Sequence, residues 1–400
     1  MERVLAGARP EVLCVAVSGG SDSLALLALT CDWARPSIAV TAVTVDHGLR
    51  DGSAEEARQV AEEARKLGAT HHILRWQGWD GSGNLQAEAR TARRNLISGH
   101  CAARGIDAVL LGHTRDDQAE TVLMRLARGS GVDGLAAMSA GQFGKTLFLR
   151  PLLQETREDL RGYLTARGLA WAEDPSNEDP RFERVRMRRA MAELGLDTAR
   201  LAETASAMAR ARIALEKRTQ DVAQAIVTEK NGIVSFDAAA LARTEEETRL
   251  RLIAHALKCL SSARYRPRLQ TLSGTLAKAL DGQGGTLHGC RLIPHRGRLL
   301  ICREYQAVAG LETEAAEGKW WDNRWQITAP DLPDARIRAL GAEGLKQMER
   351  PEGIPHAALM SFPGLWQGSK LCAVPGFAND NLLLYRIAPS ASFHQSILSH

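Results

Sequence analysis

Ser18, Gly19, Gly20, Ser21, Asp22 and Ser23 stand in one string, SGGSDS, between the apolar runs VLCVAV (Val12 to Val17) and LALLALTCDW. The first run is continuous and rich in β-branched residues, the pattern of a strand buried on both faces, and the second carries leucine and alanine at helical spacing. The chain therefore reads strand, loop, helix, with Ser21 or Asp22 at the helix start, where unpaired N–H groups and the positive end of the dipole gather. Such a terminus takes an anion. Two glycines let backbone approach a bulky polyanion and three serines add hydroxyl donors, so phosphate suits the loop, although an ordinary capped turn has the same local pattern. A Walker loop is excluded: the Gly-Lys-Thr at Gly144 to Thr146 has Ser139 where the first glycine belongs.

A second group of reactive side chains lies in GHTRDDQAET, where His113 and Asp117 are four apart and Asp116 is adjacent. If a helix begins near Thr114, these groups converge on one side of its first turn. Asp46 ends the apolar run of IAVTAVTVDHGLR (Ile38 to Arg50). Carboxylates beside a triphosphate point to a divalent cation, usually Mg2+, which prefers oxygen ligands. Asp22, Asp46, Asp116 and Asp117 are the candidates, with Asp22 and Asp116 the expected metal ligands. Taken alone, Asp116 also fits a helix cap and His113 a buried, backbone-satisfied histidine. His71 and His72, in an alternating strand without acidic partners, read as structural.

These groups need a scaffold that brings them to one edge. IAVTAVTVDHGLR reads as strand two, SAEEARQVAEEARKLG (Ser53 to Gly68) as an amphipathic helix, THHILRW as strand three, and about Asn84 to Gly105 as a long helix. DAVLLGHT (Asp107 to Thr114) gives strand four and DDQAETVLMRLARG another helix. Alternation of this kind implies a doubly wound, mainly parallel α/β sheet covered on both faces. Ligands in such folds sit at the carboxyl ends of the strands, which puts the Ser18 loop, Asp46 and His113 to Asp117 on one edge. A catalytic domain over 1–205, a mainly helical domain over 206–308 and a small α+β domain over 319–400 are expected. The second is read from a helical stretch Arg200 to Lys230 and a hairpin in Gly284 to Glu304. The third is read from short strand patterns beyond an acidic linker, Glu312 to Gly318.

With 400 residues, 44% hydrophobic and 24% charged, the chain has room for two or three cores. No apolar run approaches the roughly 20 residues that span a bilayer and the N-terminus is too polar for a secretory signal, so a cytoplasmic protein without membrane contact is expected. Seven cysteines without a Cys-x-x-Cys pair argue against a disulfide scaffold or a cysteine-rich metal site. From Arg181 to Arg218 ten basic residues face five acidic ones, although the whole chain carries only +4. Guanidinium groups suit phosphodiester backbones, and Arg184 and Arg188 are the expected nucleic-acid contacts; a solvated helix is the plainer alternative. Trp171 and Phe182 could stack an unpaired base or belong to the core.

SGGSDS resembles the pyrophosphate loop of the N-type ATP pyrophosphatases, adenine nucleotide α-hydrolase-like enzymes that split ATP into AMP and pyrophosphate. GHTRDDQAETVLMRLARGSGVDGLAAM (Gly112 to Met138) resembles the signature of the tRNA(Ile)-lysidine synthetase family. VDHGLR, EARTARR, RPLL, GLAWAEDPSNEDPRFERVRMR and GGTLHGCRL are similar to further family segments in the same order, from about Val12 to Leu292. The resemblance implies ATP as co-substrate with Mg2+, and tRNA(Ile) with a CAU anticodon and free L-lysine as partners. It implies that the wobble cytidine is adenylated at C2 and that lysine then displaces AMP, and it leaves room for a homodimer. Asp46, Arg93, His113 and Asp117 are the implied catalytic residues, with Ser18 to Ser23 on the nucleotide. Arg93 comes from the Ala-Arg-x-x-Arg segment, in which Arg94 stands where the family often has tyrosine. A tRNA thiolase, an amidating synthetase and a catalytically silent tRNA-binding protein remain as alternatives; the first two bring paired cysteines or a glutaminase segment that this sequence does not display.

Overall fold

The computed structural model describes residues 1–2, 4–5, 10–48, 53–77, 79, 85–173, 179–263, 265–327, 334–377, 383–385 and 393–397. Leu49 and Arg50 of VDHGLR and residues 174–178 of the loop before the basic segment lie outside them. The contacts divide the chain into two units, Met1–Ile213 and Ala214–Ser399. The three segments expected from sequence are a finer division than this.

The first unit runs β1 (Val12–Ala16), α1 (Ser21–Ala34), β2 (Ala39–Asp46), α2 (Ser53–Lys66), β3 (Thr70–Arg75), α3 (Leu85–Ala102), β4 (Ala108–Leu111), α4 (Arg115–Ala127), α5 (Val132–Leu135), β5 (Gly141–Phe143), β6 (Thr146–Leu149), α6 (Arg157–Ala166), α7 (Glu183–Glu193) and the start of α8 (Thr198–Ile226). Its six strands lie in the order β3-β2-β1-β4-β6-β5. All neighbours pair parallel except β5 with β6. The alternation of β1 is visible in its packing: Leu13 and Val15 join Leu24, Leu27, Leu110 and Leu164 on one face, while Cys14 joins Val43, Ile97, Val109 and Phe148 on the other. Each face is thus closed by helices, as a parallel sheet requires. Because β2 and β4 flank β1, the order reverses there, and the carboxyl ends of β1 and β4 open at the switch point of the sheet. The short β5 and β6 and helix α6 escape the sequence reading. Their segments offer neither the length nor the periodicity that marked the earlier units.

In the second unit, Val227–Lys230 is a strand, where the sequence reads helix through Lys230. It pairs antiparallel with Ile233–Asp237 around Asn231 and Gly232, whose φ angles of 49° and 73° suit a tight hairpin turn. These two strands enter a five-stranded sheet with the expected hairpin Cys290–His295 and Arg298–Arg303. Helices Glu246–Ser261 and Leu269–Leu280 contribute Leu252, Ile253, Leu257 and Leu276 to the same core as Val234, Phe236 and Ile301. The acidic stretch expected as a linker carries a strand, Glu312–Glu314, paired with Arg336 to Arg338 and held by an Arg336–Glu312 ion pair at 3.3 Å. Glu312 faces Arg338 and Glu314 faces Arg336, and opposite charges across a ladder, directly or on the diagonal as in this ion pair, stabilise it, so acidity here marks a strand edge.

Candidate active site

The loop after β1 turns at Gly19, whose φ of +92° lies where a side chain is strained. Ser23 organises it: its hydroxyl accepts from the Ser18 N–H at 3.1 Å, lies 3.2 Å from the Ser18 hydroxyl and donates to the Gly20 carbonyl at 3.0 Å. Helix α1 follows with Gly20 at its N-cap and no side-chain capping bond, which leaves its first N–H groups for another acceptor. Gly112, at the end of β4, packs against this turn. A Cβ there would lie 2.9 Å from the Asp22 carbonyl oxygen and 2.9 Å from the Ser23 Cα, so only glycine lets the end of β4 approach the first turn of α1 so closely.

Helix α4 begins where the spacing of GHTRDDQAET predicts. Thr114 caps α4, and Asp117 closes a capping box by accepting from the Thr114 N–H at 2.8 Å. A guanidinium from α6 joins the two edges: Arg157 Nε donates to Asp22 Oδ2 at 3.1 Å, and its NH2 reaches Asp117 Oδ1 at 3.4 Å. The Arg157 backbone N–H donates to Asp116 Oδ2 at 2.8 Å. Burial pushes the Asp22 carboxyl up, and Arg157 and Ser21 offset part of that rise. Glu120, one turn beyond Asp117 and 1% exposed, accepts from Arg188 Nε and NH2 at 3.0 and 2.9 Å through Oε1, while Oε2 has no partner among the described residues.

His113 sits between these acids and a group of arginines. Burial, with Arg150, Arg184 and Arg90 near it, pushes its imidazole down to about 4 against the pull of Asp117, so it is neutral at pH 7. Its Nδ1 is buried and has no partner among the described residues. Arg150 is itself lowered to about 10, by burial and by Arg90 and Arg94. Arginines crowded in this way are more stable once an anion arrives. Further along α4 a cavity of about 220 Å³ is lined by Arg90, Thr121, Met124, Arg125, Arg128, Met138 and Arg184.

Arg93 lies on α3 with NH2 3.1 Å from His47 Nε2. His47 follows Asp46, whose Oδ1 accepts from the Gly48 N–H at 2.9 Å, and its ring meets Trp76 edge-on at 5.7 Å. Arg184 and Arg188, expected on a nucleic-acid face, project from α7 back toward α4: Arg184 NH1 is 3.8 Å from Asp117 Oδ1, and Arg188 pairs with Glu120. Both remain about two-fifths exposed, at 42% and 41%. Trp171 packs against the core of the first unit, and Phe182 is the N-cap of α7. His71 bonds Thr44 at 2.9 Å, and the His72 ring lies 4.8 Å from that of His100 at a tilt of 56°, contacts of a structural kind.

No group of three metal-ligating side chains occurs among the described residues. Mg2+ commonly takes one or two carboxylates and completes its shell with substrate phosphates and water. Asp22 and Asp116 fit that pattern as a donor set. The sequence reading missed His47, Glu120, Arg150 and Arg157. Glu120 lies three residues after Asp117 on the same helix face, and His47 and Arg150 stand in the segments VDHGLR and RPLL; Arg157 alone had no local signal.

The family profile described as a PP-loop domain matches residues 1–194. A tRNA(Ile)-lysidine synthase of Ruegeria pomeroyi is 42% identical, over 98% of this chain and 95% of that one. Another, of Wolbachia pipientis wMel, is 35% identical over 91% of this chain and 88% of that one. Among solved structures, the U34-tRNA thiolase NcsA from Methanococcus maripaludis aligns with a TM-score of 0.44 at 17% identity, over 52% of this chain and 75% of that one.

Proposed function

The chain belongs to the tRNA(Ile)-lysidine synthase family, and from that premise we propose how its first unit performs ATP-dependent lysidine formation on tRNA(Ile). The observation that carries the proposal is the loop Ser18 to Ser23 at the uncapped start of α1, packed through Gly112 against the strand end that bears His113 and Asp117.

The wobble cytidine of a CAU anticodon presents its C2 carbonyl oxygen to the α-phosphate of ATP. An O–P bond forms, the bond to pyrophosphate breaks, and the poor leaving group at C2 becomes a phosphate ester. The amine of free L-lysine then attacks C2, AMP leaves, and the amine sheds a proton. The N-terminus of α1 and the serine hydroxyls of the loop hold the departing phosphates. Mg2+, held by Asp22 and Asp116, would neutralise charge on the pyrophosphate. Arg93, oriented by His47 from the Asp46 turn, meets charge developing on the α-phosphate. His113 enters as a neutral imidazole. As the anionic substrates offset Arg90, Arg150 and Arg184, its proton affinity rises, which prepares it and neighbouring Asp117 to receive the proton of the amine. The arginine-lined cavity along α4, with the exposed sides of Arg184 and Arg188, suits the RNA backbone around the target base.

The test is mass analysis of nucleosides after tRNA(Ile) with a CAU anticodon, ATP and isotopically labelled lysine are incubated with the protein. One labelled lysidine per tRNA, dependent on ATP, is expected. Unmodified cytidine in an otherwise folded protein overturns the proposal.

A further inference from the structure

Past the ends of β1 and β4 the phosphate loop meets the start of α4 through the close packing at Gly112 and, beyond it, through side chains. The start of α6 is bolted to α4 twice: the Arg115 N–H donates to the Glu155 carbonyl at 2.9 Å, and the Arg157 N–H donates to Asp116 Oδ2 at 2.8 Å. Thr156 and Asp159 close a capping box on either side of Arg157, which anchors the backbone from which its side chain leaves. From this anchored position the guanidinium, 21% exposed, crosses to Asp22 Oδ2 at 3.1 Å while keeping Asp117 Oδ1 at 3.4 Å and Glu120 Oε1 at 3.9 Å. The other oxygen of Asp22 accepts from Ser21 at 3.0 Å, so both are directed by donors. A planar fork can hold two carboxylates at a set separation; an ammonium is a single point charge.

We propose that Arg157 is a positioning residue of the reaction: its guanidinium straps Asp22 of the phosphate loop to Asp117 of α4, so that the two edges meet the triphosphate as one preorganised unit. The inference rests on the reading of the site given above and adds to it a residue that no motif of the phosphate loop or of the His113 segment contains. Misalignment of the reacting groups by about an ångström can cost about 10²-fold in rate, so the strap acts mainly on the chemical step.

The experiment compares wild type, Arg157→Lys and Arg157→Gln, with rates expressed per folded molecule from a thermal melt. Equilibrium binding of Mg·ATP and of tRNA is measured separately from turnover. Arg157→Lys keeps the charge and is expected to lose about tenfold in kcat, and Arg157→Gln about 10²-fold. Both should raise the Mg2+ concentration needed for half-maximal rate and weaken Mg·ATP binding by about threefold to tenfold, with tRNA affinity within about twofold of wild type. A residue serving stability alone would lower the melting point and leave kcat, Mg·ATP affinity and Mg2+ dependence per folded molecule unchanged; that result overturns the proposal. Loss of the fold in both variants overturns it as well, because Arg157 would then belong to the stability of α6. Failure of wild type to form lysidine counts against the functional reading, whereas lysidine from wild type with an unaltered Arg157→Lys counts against the strap.

Discussion

His113 in the first unit and His255 in the second are both lowered to about 4, and burial is the leading cause for each. Their wiring differs. His255 Nε2 lies 2.9 Å from the Ser396 hydroxyl, 3.3 Å from the Phe393 carbonyl and 3.4 Å from Cys259 Sγ, with the Phe393 ring at 4.9 Å. His113 leaves a buried Nδ1 without a partner among the described residues and has three arginines acting on it. A depressed proton affinity therefore does not mark a site by itself. His255 is satisfied within an apolar core, whereas His113 lies between carboxylates and arginines with a ring nitrogen to spare, which is what makes it the candidate for chemistry.

Substitutions on the loop and the His113 edge should separate these regions most sharply. Asp22→Ala and His113→Ala are each expected to lower turnover by about 10³-fold or more, with tRNA affinity nearly intact, because neither residue lines the arginine cavity. Steady-state rates beside a tRNA binding assay check this, and wild-type turnover in either variant would erase the contrast with His255. Arg93→Ala should lower kcat by about 10²-fold with little change in KM for ATP, and lysine should rescue only partly. The alternative, an exposed helical arginine of no consequence, leaves kcat alone and shifts stability by under about 0.5 kcal/mol.

The second unit should answer in stability. His255→Ala removes a packed ring and its bonds to Ser396 and Phe393, at a cost of about 2 kcal/mol read from denaturant midpoints, with turnover per folded molecule unchanged. The pH dependence follows from the direction of the shift. The folded proton affinity of His255 lies below the ordinary 6.5, so the unfolded chain binds the extra proton and stability falls as pH drops from about 6.5 toward 4. Above that window His255 contributes a constant amount. Midpoints measured from pH 4 to 8 should therefore show a flatter acid limb in His255→Ala than in wild type. The smallest effect concerns Arg184 and Arg188: replacing both by glutamine should reduce the salt dependence of tRNA binding by about one unit of slope per lost phosphate contact. An unchanged slope would confine them to Asp117 and Glu120.

The parts of this molecule that could be read from sequence are those written locally. SGGSDS and GHTRDDQAET each place their reactive groups within one turn of a strand end, so strand, loop and helix periodicity sufficed to bring them to the same edge. Arg157 acts on Asp22, Asp116 and Asp117, 40 or more positions away in the chain, and Arg150 on arginines of another helix, and no local period announces such a meeting. Arg188 was legible as a basic residue but not as the partner of Glu120, since charge composition does not say which way a helix turns its face. The helix expected through Lys230 ends early because Asn231 and Gly232 make a better hairpin than a helix end. The strand at Glu312–Glu314 depends on basic residues from another strand.

The central claim is that the Ser18 loop and the His113 edge activate the tRNA before lysine attacks it. A single-turnover reaction with ATP labelled on the α-phosphate, tRNA(Ile) bearing CAU, and no lysine tests it most directly. The account predicts pyrophosphate release only in the presence of tRNA, label carried on the tRNA as AMP, and its loss on a chase with lysine as lysidine forms. Pyrophosphate released without tRNA, or tRNA that never carries the label while lysidine still forms, would contradict it.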